Sequence, residues 1–374
     1  MQSTAQGYFM YELTHSPAYL GYVGFAAGIP TWLFMLYGGV IADRISRRNL
    51  LVMTQTMMML LAFILATITF LGVVQPWHII VLAFLLGTAN AFDAPARLAF
   101  VPELVPREDL TNAIALNGTM FNLATVFGPA VAGVTYAFFG PSWCFMINGL
   151  SFIAVIIALL LMKLPPWSAP PSRMSTFQNI TTGIRYVLKE PIVRILILGI
   201  GIISLFGLGF VTLMPAWAVE ILGGNSATTG LLQSARGTGA LIGALTIASL
   251  GRIQYRGKLL TIGSLVFPIF LMMFAFMRWL PLSLLALVGA GWGFMVYNNL
   301  SNSLVQTTVP DQVRGRVMSV YSISFFGLMP IGALLAGKLA ALIGEPATVI
   351  LGATALLIFA TLAWWRLPNL RKLE

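Results

Sequence analysis

The chain is poor in most of what a soluble catalyst needs. Only 9% of its 374 residues are charged, where a soluble domain carries roughly a quarter. It has one cysteine, Cys144, and two histidines, His15 and His78. One thiol closes no disulfide within the chain, and a thiol with two remote imidazoles lacks the spacing of a metal site, so no metal is expected. No HExxH, GxSxG or Walker loop occurs, which leaves an intramembrane enzyme without a nucleophile, a metal or a phosphate cradle. Nor does the chain open with the basic and apolar blocks of a signal peptide.

What it has is apolar length. Hydrophobic residues make up 58%, and Leu50 to Val74, Trp143 to Met162 and Ala347 to Trp365 each run without a charge. Runs of about 19 residues or more cross a bilayer as a helix, and the ten-residue alternation of a membrane barrel is missing. The chain is therefore expected to be an all-α membrane protein. The pattern predicts helices over about 17–42, 49–73, 77–101, 109–138, 141–163, 191–219, 226–250, 257–278, 281–307, 312–341 and 344–366. All Lys and Arg except Arg236, Arg278 and Lys338 then lie in or beside alternate loops. By the positive-inside rule that side, with the C-terminus, is cytoplasmic. The net charge of +10 follows from this topology and calls for no nucleic-acid partner.

The stretch Lys163-Leu164-Pro165-Pro166-Trp167-Ser168-Ala169-Pro170-Pro171 is stiff and halts one helix before the next begins. It divides an N-terminal bundle, 1–162, from a C-terminal bundle, 191–374, with a linker over 163–190. In the linker Phe177, Ile180, Ile184, Val187 and Leu188 recur at helical spacing beside Arg185 and Lys189, as in a helix lying on the membrane surface; a plain linker is the alternative. The two halves resemble each other. Aligning Val105-Pro106 with Val309-Pro310 brings Gly128 onto Gly332, Gly133 onto Gly337 and Gly39 onto Gly243. A parallel repeat of this kind is the layout of transporters made of two six-helix halves. On that alignment Met1 to Leu13 reads as the outer half of a first helix. The chain is expected to hold about eleven complete spans of a twelve-helix plan, a genuine eleven-helix protein being the alternative.

Between the second and third helices of that plan lie Gly39, Asp43, Arg44, Arg47 and Arg48, separated as in the loop signature of the major facilitator superfamily, with Ser46 replacing its usual second glycine. Gly39 permits close helix approach, Asp43 can accept hydrogen bonds at a facing helix N-terminus, and the arginines can clamp acidic loop residues across the half interface. The next helix reads Asn90-Ala91-Phe92-Asp93-Ala94-Pro95-Ala96-Arg97, followed by Pro102-Glu103-Leu104-Val105-Pro106. Asp93 and Arg97 are spaced as a helical ion pair, and each unpaired would cost about 2.5–3.5 kcal/mol at mid-membrane. Pro95 between them interrupts the helical ladder. These residues, with Ala5-Gln6-Gly7-Tyr8 and Leu13-Thr14-His15-Ser16-Pro17, resemble the enterobactin-exporter-like branch of the superfamily, the transmembrane secretion effectors. The resemblance implies the major facilitator fold, two pseudo-symmetric six-helix bundles, and a first helix that begins before the Ala-Gln-Gly segment.

Gly128-Pro129-Ala130-Val131-Ala132-Gly133 is similar to the Gly-Pro signature of proton-coupled drug exporters, in part only, because Ala124 and Ala132 stand where glycines are usual. Polar groups at membrane depth are the candidates for a substrate cavity: Asn117, Asn122, Gln233, Arg236, Asn298, Asn299 and Asn302. Arg236 lies about 15 Å deep, where an arginine must face water, a carboxylate or an anionic substrate. The expected function is secondary transport of a small organic molecule, a drug, siderophore or metabolite, out of the cytoplasm by alternating access. Asp93, tuned by Arg97, is the expected proton carrier. No cofactor is expected, the proton gradient being the energy source. The expected partners are the substrate and the lipid bilayer, the expected state a monomer, and the expected location a bacterial cytoplasmic membrane. Import by the same fold and a non-transporting receptor or assembly partner are the other readings.

Overall fold

The computed structural model describes residues 1–162, 176–250 and 256–366, without the side chains of 35–44 and 176–180. Thirteen helices account for nearly all of them, with no strand among the described residues. The N-terminal half is α1 (Gln2–Thr14), α2 (Pro17–Arg44), α3 (Arg47–Phe70), α4 (Pro76–Leu104), α5 (Leu110–Phe139) and α6 (Pro141–Leu161). Then come α7 (Thr176–Lys189), α8 (Pro191–Ile221), α9 (Ser226–Ser249), α10 (Arg256–Phe276), α11 (Leu280–Thr308), α12 (Asp311–Ile343) and α13 (Glu345–Arg366). The Pro-rich stretch 163–171 lies outside the described residues.

The ends of these helices are written locally. Pro17, Pro76, Pro141 and Pro191 each open a helix, where a missing N–H costs nothing. Asn225 caps α9, its Oδ1 accepting from the N–H groups of Ala227 at 3.0 Å and Thr228 at 3.3 Å. α5 and α12 both end in a glycine with positive φ, Gly140 at 82° and Gly344 at 84°, and these two positions correspond in the repeat. Pro95 and Pro102 are absorbed inside α4, which runs on to Leu104. The ladder interruption expected at Pro95 is thus contained within one continuous helix.

Nine of the helices are long and apolar enough to cross a membrane, counting only described residues. α9 does not meet that measure, and its composition shows why. Gln233 and Arg236 leave the helix away from the face on which Leu231, Ile242 and Leu245 are exposed. A helix with one apolar face and neighbours on the other need not be apolar all round.

Each half has its own apolar core. In the N-terminal half Phe9, Met10, Leu20, Leu61, Leu65, Ile79 and Phe145 are buried together. In the C-terminal half the core includes Leu196, Ile200, Phe210, Met214 and Leu287, with the Trp217 and Phe274 rings stacked at 4.4 Å. The halves meet mainly along two seams, α2 with α12 and α5 with α9. Both seams contain contacts of backbone on backbone. A Cβ on Gly133 would lie 2.5 Å from Ser226 O and 3.1 Å from Gly230 Cα, and one on Gly337 would lie 2.6 Å from Gly21 Cα. Small residues let helices approach this closely in lipid, where the hydrophobic effect does not drive them together.

The seams close only one end of the molecule. Calling the end that carries Arg47, Arg48, Arg185 and Arg314 the arginine-rich end, the hydrogen bonds between halves among the described side chains all lie in the other part. Tyr11 Oη donates to Glu220 Oε1 at 2.8 Å, Ser226 Oγ to Gly133 O at 3.1 Å and Thr4 Oγ1 to Gln233 Oε1 at 2.7 Å. α5 reports the same asymmetry along its length. Ala132, Gly133 and Tyr136 are buried, whereas from Leu110 to Val131 no residue is. The halves are therefore sealed at one end and parted at the arginine-rich end.

Two substitutions test this seal. Gly133→Val inserts atoms where Ser226 O already stands, so the purified protein should melt several degrees lower, matching an overpacking cost of about 1–3 kcal/mol. Gly118→Ala, whose Cβ would meet nothing within 4 Å, should leave the midpoint in place. Tyr11→Phe removes one hydrogen bond between halves, worth about 1 kcal/mol. In a Cys144→Ser background, a cysteine introduced by Ser226→Cys should then react about five-fold faster with a water-soluble maleimide. An unchanged labelling rate would mean that Tyr11 does not hold the seal.

Candidate transport site

The loop signature sits where α2 gives way to α3. Gly39, Asp43 and Arg44 fall on the last turns of α2, in the stretch whose side chains are outside the description. Ser46 caps α3, its Oγ accepting from Asn49 N at 3.4 Å, and this cap fixes the exit direction of Arg47 and Arg48. Arg47 donates to Ala99 O at 3.1 Å and forms an ion pair with Glu103, while Arg48 donates to Leu160 O. All three partners belong to the N-terminal half. The expected clamp across the half interface is thus not what these two arginines make here, because the halves are apart at this end and the nearest acceptors lie on α4 and α6.

Asp93 and Arg97 do form the ion pair their spacing predicts. The carboxylate is 1% exposed and has two further donors, Thr54 Oγ1 and Gln55 Nε2, both 2.8 Å from Oδ1. Arg97 is about half exposed, so the buried acid reaches solvent only through its partner. Three donors offset the cost of holding a carboxylate at this depth, and they tie α3 to α4. Thr54 and Gln55 escaped the sequence reading, although two adjacent polar residues inside the apolar run from Leu50 to Val74 mark the face that meets a polar neighbour.

The cavity candidates separate into distinct groups. Asn298 accepts from Tyr321 Oη through O and Oδ1, both at 3.3 Å, which joins α11 to α12. Asn302 Oδ1 accepts from Gln306 Nε2 at 2.6 Å on its own helix. Asn299 is part-exposed on the same helix. Asn117 is exposed and Asn122 part-exposed on the unpacked portion of α5, where that helix leaves its neighbours towards the arginine-rich end. Gln233 and Arg236 lie together on α9, one turn apart, Gln233 bridging to Thr4 of the other half. Arg236 has a covered Nε with no acceptor.

The Gly-Pro segment of α5 takes part in the seam unevenly. Gly133 is in backbone contact with α9, and Pro129 O approaches Gly230, whereas a Cβ on Gly128 would meet nothing within 4 Å. Among the described residues no three His, Cys, Asp or Glu side chains converge as a metal site would.

The comparisons with known proteins agree with this geometry. The family model for transmembrane secretion effectors matches residues 1–374. The enterobactin exporter EntS of Shigella boydii serotype 18 is 30% identical over 376 residues, covering 96% of this chain and 86% of the exporter, and EntS of Escherichia coli O1:K1 matches to the same extent. Among solved structures, the nucleoside transporter NupG superposes with a TM-score of 0.73 at 15% identity, covering 98% of this chain and 95% of that one. The inward open conformation of the xylose transporter XylE from E. coli gives a TM-score of 0.72 at 14% identity, covering 97% and 92%. With two helical bundles, glycine seams between them and polar groups at depth, the chain belongs to the transmembrane secretion effectors, multi-pass secondary transporters of the major facilitator fold.

Proposed function

We propose that this transporter exports a small organic molecule from the cytoplasm, exchanging it for protons by alternating access. The observation that carries the reading is the one-sided closure of the bundle. Positive charge collects at the end where the halves are parted, and the positive-inside rule assigns that end, with the end of α13, to the cytoplasm. The space between the halves would then be open to the inside of the cell, the side from which an exporter loads. The similarity to enterobactin exporters at 30% identity supports the same direction. A bacterial cytoplasmic membrane is the location this reading implies.

Asp93 and Arg97 are the coupling pair in this proposal. Thr54, Gln55 and Arg97 all donate to the carboxylate in this state. A swing of the Arg97 side chain towards solvent, or a shift of α3 that withdraws Thr54 and Gln55, would take these donors away at the step where the proton is exchanged. The loop signature from Gly39 to Arg48 would act beside it, with Arg47 and Glu103 holding α3 to α4 so that the half moves as one body.

Everted membrane vesicles from cells that make the full chain test direction and coupling together. A transported compound added outside should collapse an imposed proton gradient, acid inside, only when the protein is present. Uptake by right-side-out vesicles at the expense of the gradient would make the protein an importer, and binding without flux a receptor. Asp93→Asn should abolish efflux driven by the pH difference; a variant that keeps full coupling would take Asp93 out of the mechanism.

A further inference from the structure

Arg236 holds a charge for which no described residue supplies a counterion. It lies on α9 about ten residues from Ser226, hence about 15 Å from the sealed end, within the depth where an isolated ion is costly. At 3.6 residues per turn its side chain leaves α9 within about 60° of the direction opposite the exposed Leu231, Ile242 and Leu245. That direction is the inside of the bundle. It falls between Gln233, which reaches α1 across the half interface, and Gly239, whose Cβ would strike Val288 O of α11.

Arg236 is one turn beyond the Thr4–Gln233 hydrogen bond, the last between the halves among the described residues on the way from the sealed to the arginine-rich end. It therefore stands at the blind end of the space between the halves. Its side chain is part-exposed, its Nε is covered, and no hydrogen bond or ion pair joins it to any described residue.

The carboxylates are all elsewhere. No Asp or Glu occurs between Glu220 and Asp311, which leaves α9, α10 and α11 without one, and none occurs within α5. The acids on the other neighbours are engaged: Glu12 with Tyr136, Glu220 with Tyr11, Asp93 with Arg97, Glu103 with Arg47 and Asp311 with Arg314. Gln233 adds a second donor, because its Oε1 is occupied by Thr4 and its Nε2 has no acceptor among the described residues.

Resting on the transport reading above, we propose that Arg236, assisted by Gln233, is the anchor for a carboxylate or similar planar oxyanion of an organic substrate. A guanidinium presents paired N–H donors that match the two oxygens of such a group, and the missing protein acid is supplied by the cargo. An uncharged cargo would leave the arginine uncompensated in this state.

Matched probes test this on the full chain in lipid nanodiscs: 1-naphthoate, its amide 1-naphthamide, and acetate, with binding read by quenching of protein fluorescence and by thermal midpoint. The acid should bind about ten- to a hundred-fold more tightly than the amide, the range expected for a charged hydrogen bond, and acetate should be weaker than naphthoate. Arg236→Gln should remove the preference for the acid and Arg236→Lys should retain part of it. Equal binding of acid and amide, no binding of either, or a preference for acid that survives Arg236→Gln overturns the anchor. So does acetate binding as tightly as naphthoate, which would mark a simple ion site. The comparison of acid with amide in the unaltered protein stands even if a variant fails to fold. Flux of the same probes in everted vesicles separates the two readings: selective binding of acid without flux sinks export, and flux of acid and amide alike sinks the anchor.

Discussion

Backbone contact between helices of opposite halves is the constraint on which the rest depends. At Gly133 with Gly230, and at Gly21 with Gly337, no side chain stands between the two backbones. Interlocked side chains would make such an interface hard to shift, whereas two smooth helix faces can tilt about one another at modest cost. Sealing one end in this way lets α5 run free towards the other, where none of its residues from Leu110 to Val131 is buried. The seal also defines the depth of the space between the halves, and so decides which polar residues can meet a ligand.

The fold was legible because its signals are local or periodic. Uncharged runs gave the spans, prolines gave the starts of α2, α4, α6 and α8, and the repeat of Val105-Pro106 at Val309-Pro310 gave two related halves. The same repeat aligned Gly133 with Gly337, and each now lies in a seam, one against α9 and the other against α2. Asp93 and Arg97 were found together because an ion pair within one helix needs only a spacing. Their neighbours Thr54 and Gln55, and the Arg47 pairing with Glu103, depend on how α3 is rotated and shifted against α4. No spacing within a single helix encodes that register. Gly128 and Gly133 read alike in the sequence, yet only the latter faces α9, because five residues turn a helix by about 140°.

Which end is parted could not be read from the chain either. The loop signature was expected to reach across the interface, and both arginines described there bind within their own half. A residue that can serve in two states keeps one sequence and changes partners, so its pattern names the element and leaves the state open. The hydrogen bonds of Thr4, Tyr11 and Ser226 do distinguish the states, but they involve ordinary polar residues near the ends and middle of helices, with nothing in their spacing to set them apart.

Arg236 gives the space between the halves an electrical character. A cavity with one fixed positive charge and no acid of its own differs, empty and filled, by the whole charge of an anionic cargo. The membrane field acts on each elementary charge with about 2.3 kcal/mol per 100 mV across its full thickness. It would act on the vacant form and leave a form neutralised by a monoanion almost untouched. The step sensitive to voltage is then the return of the carrier without its cargo, the step that carries the proton in the exchange, and the membrane potential weighs on that half of the cycle more than on the passage of the cargo.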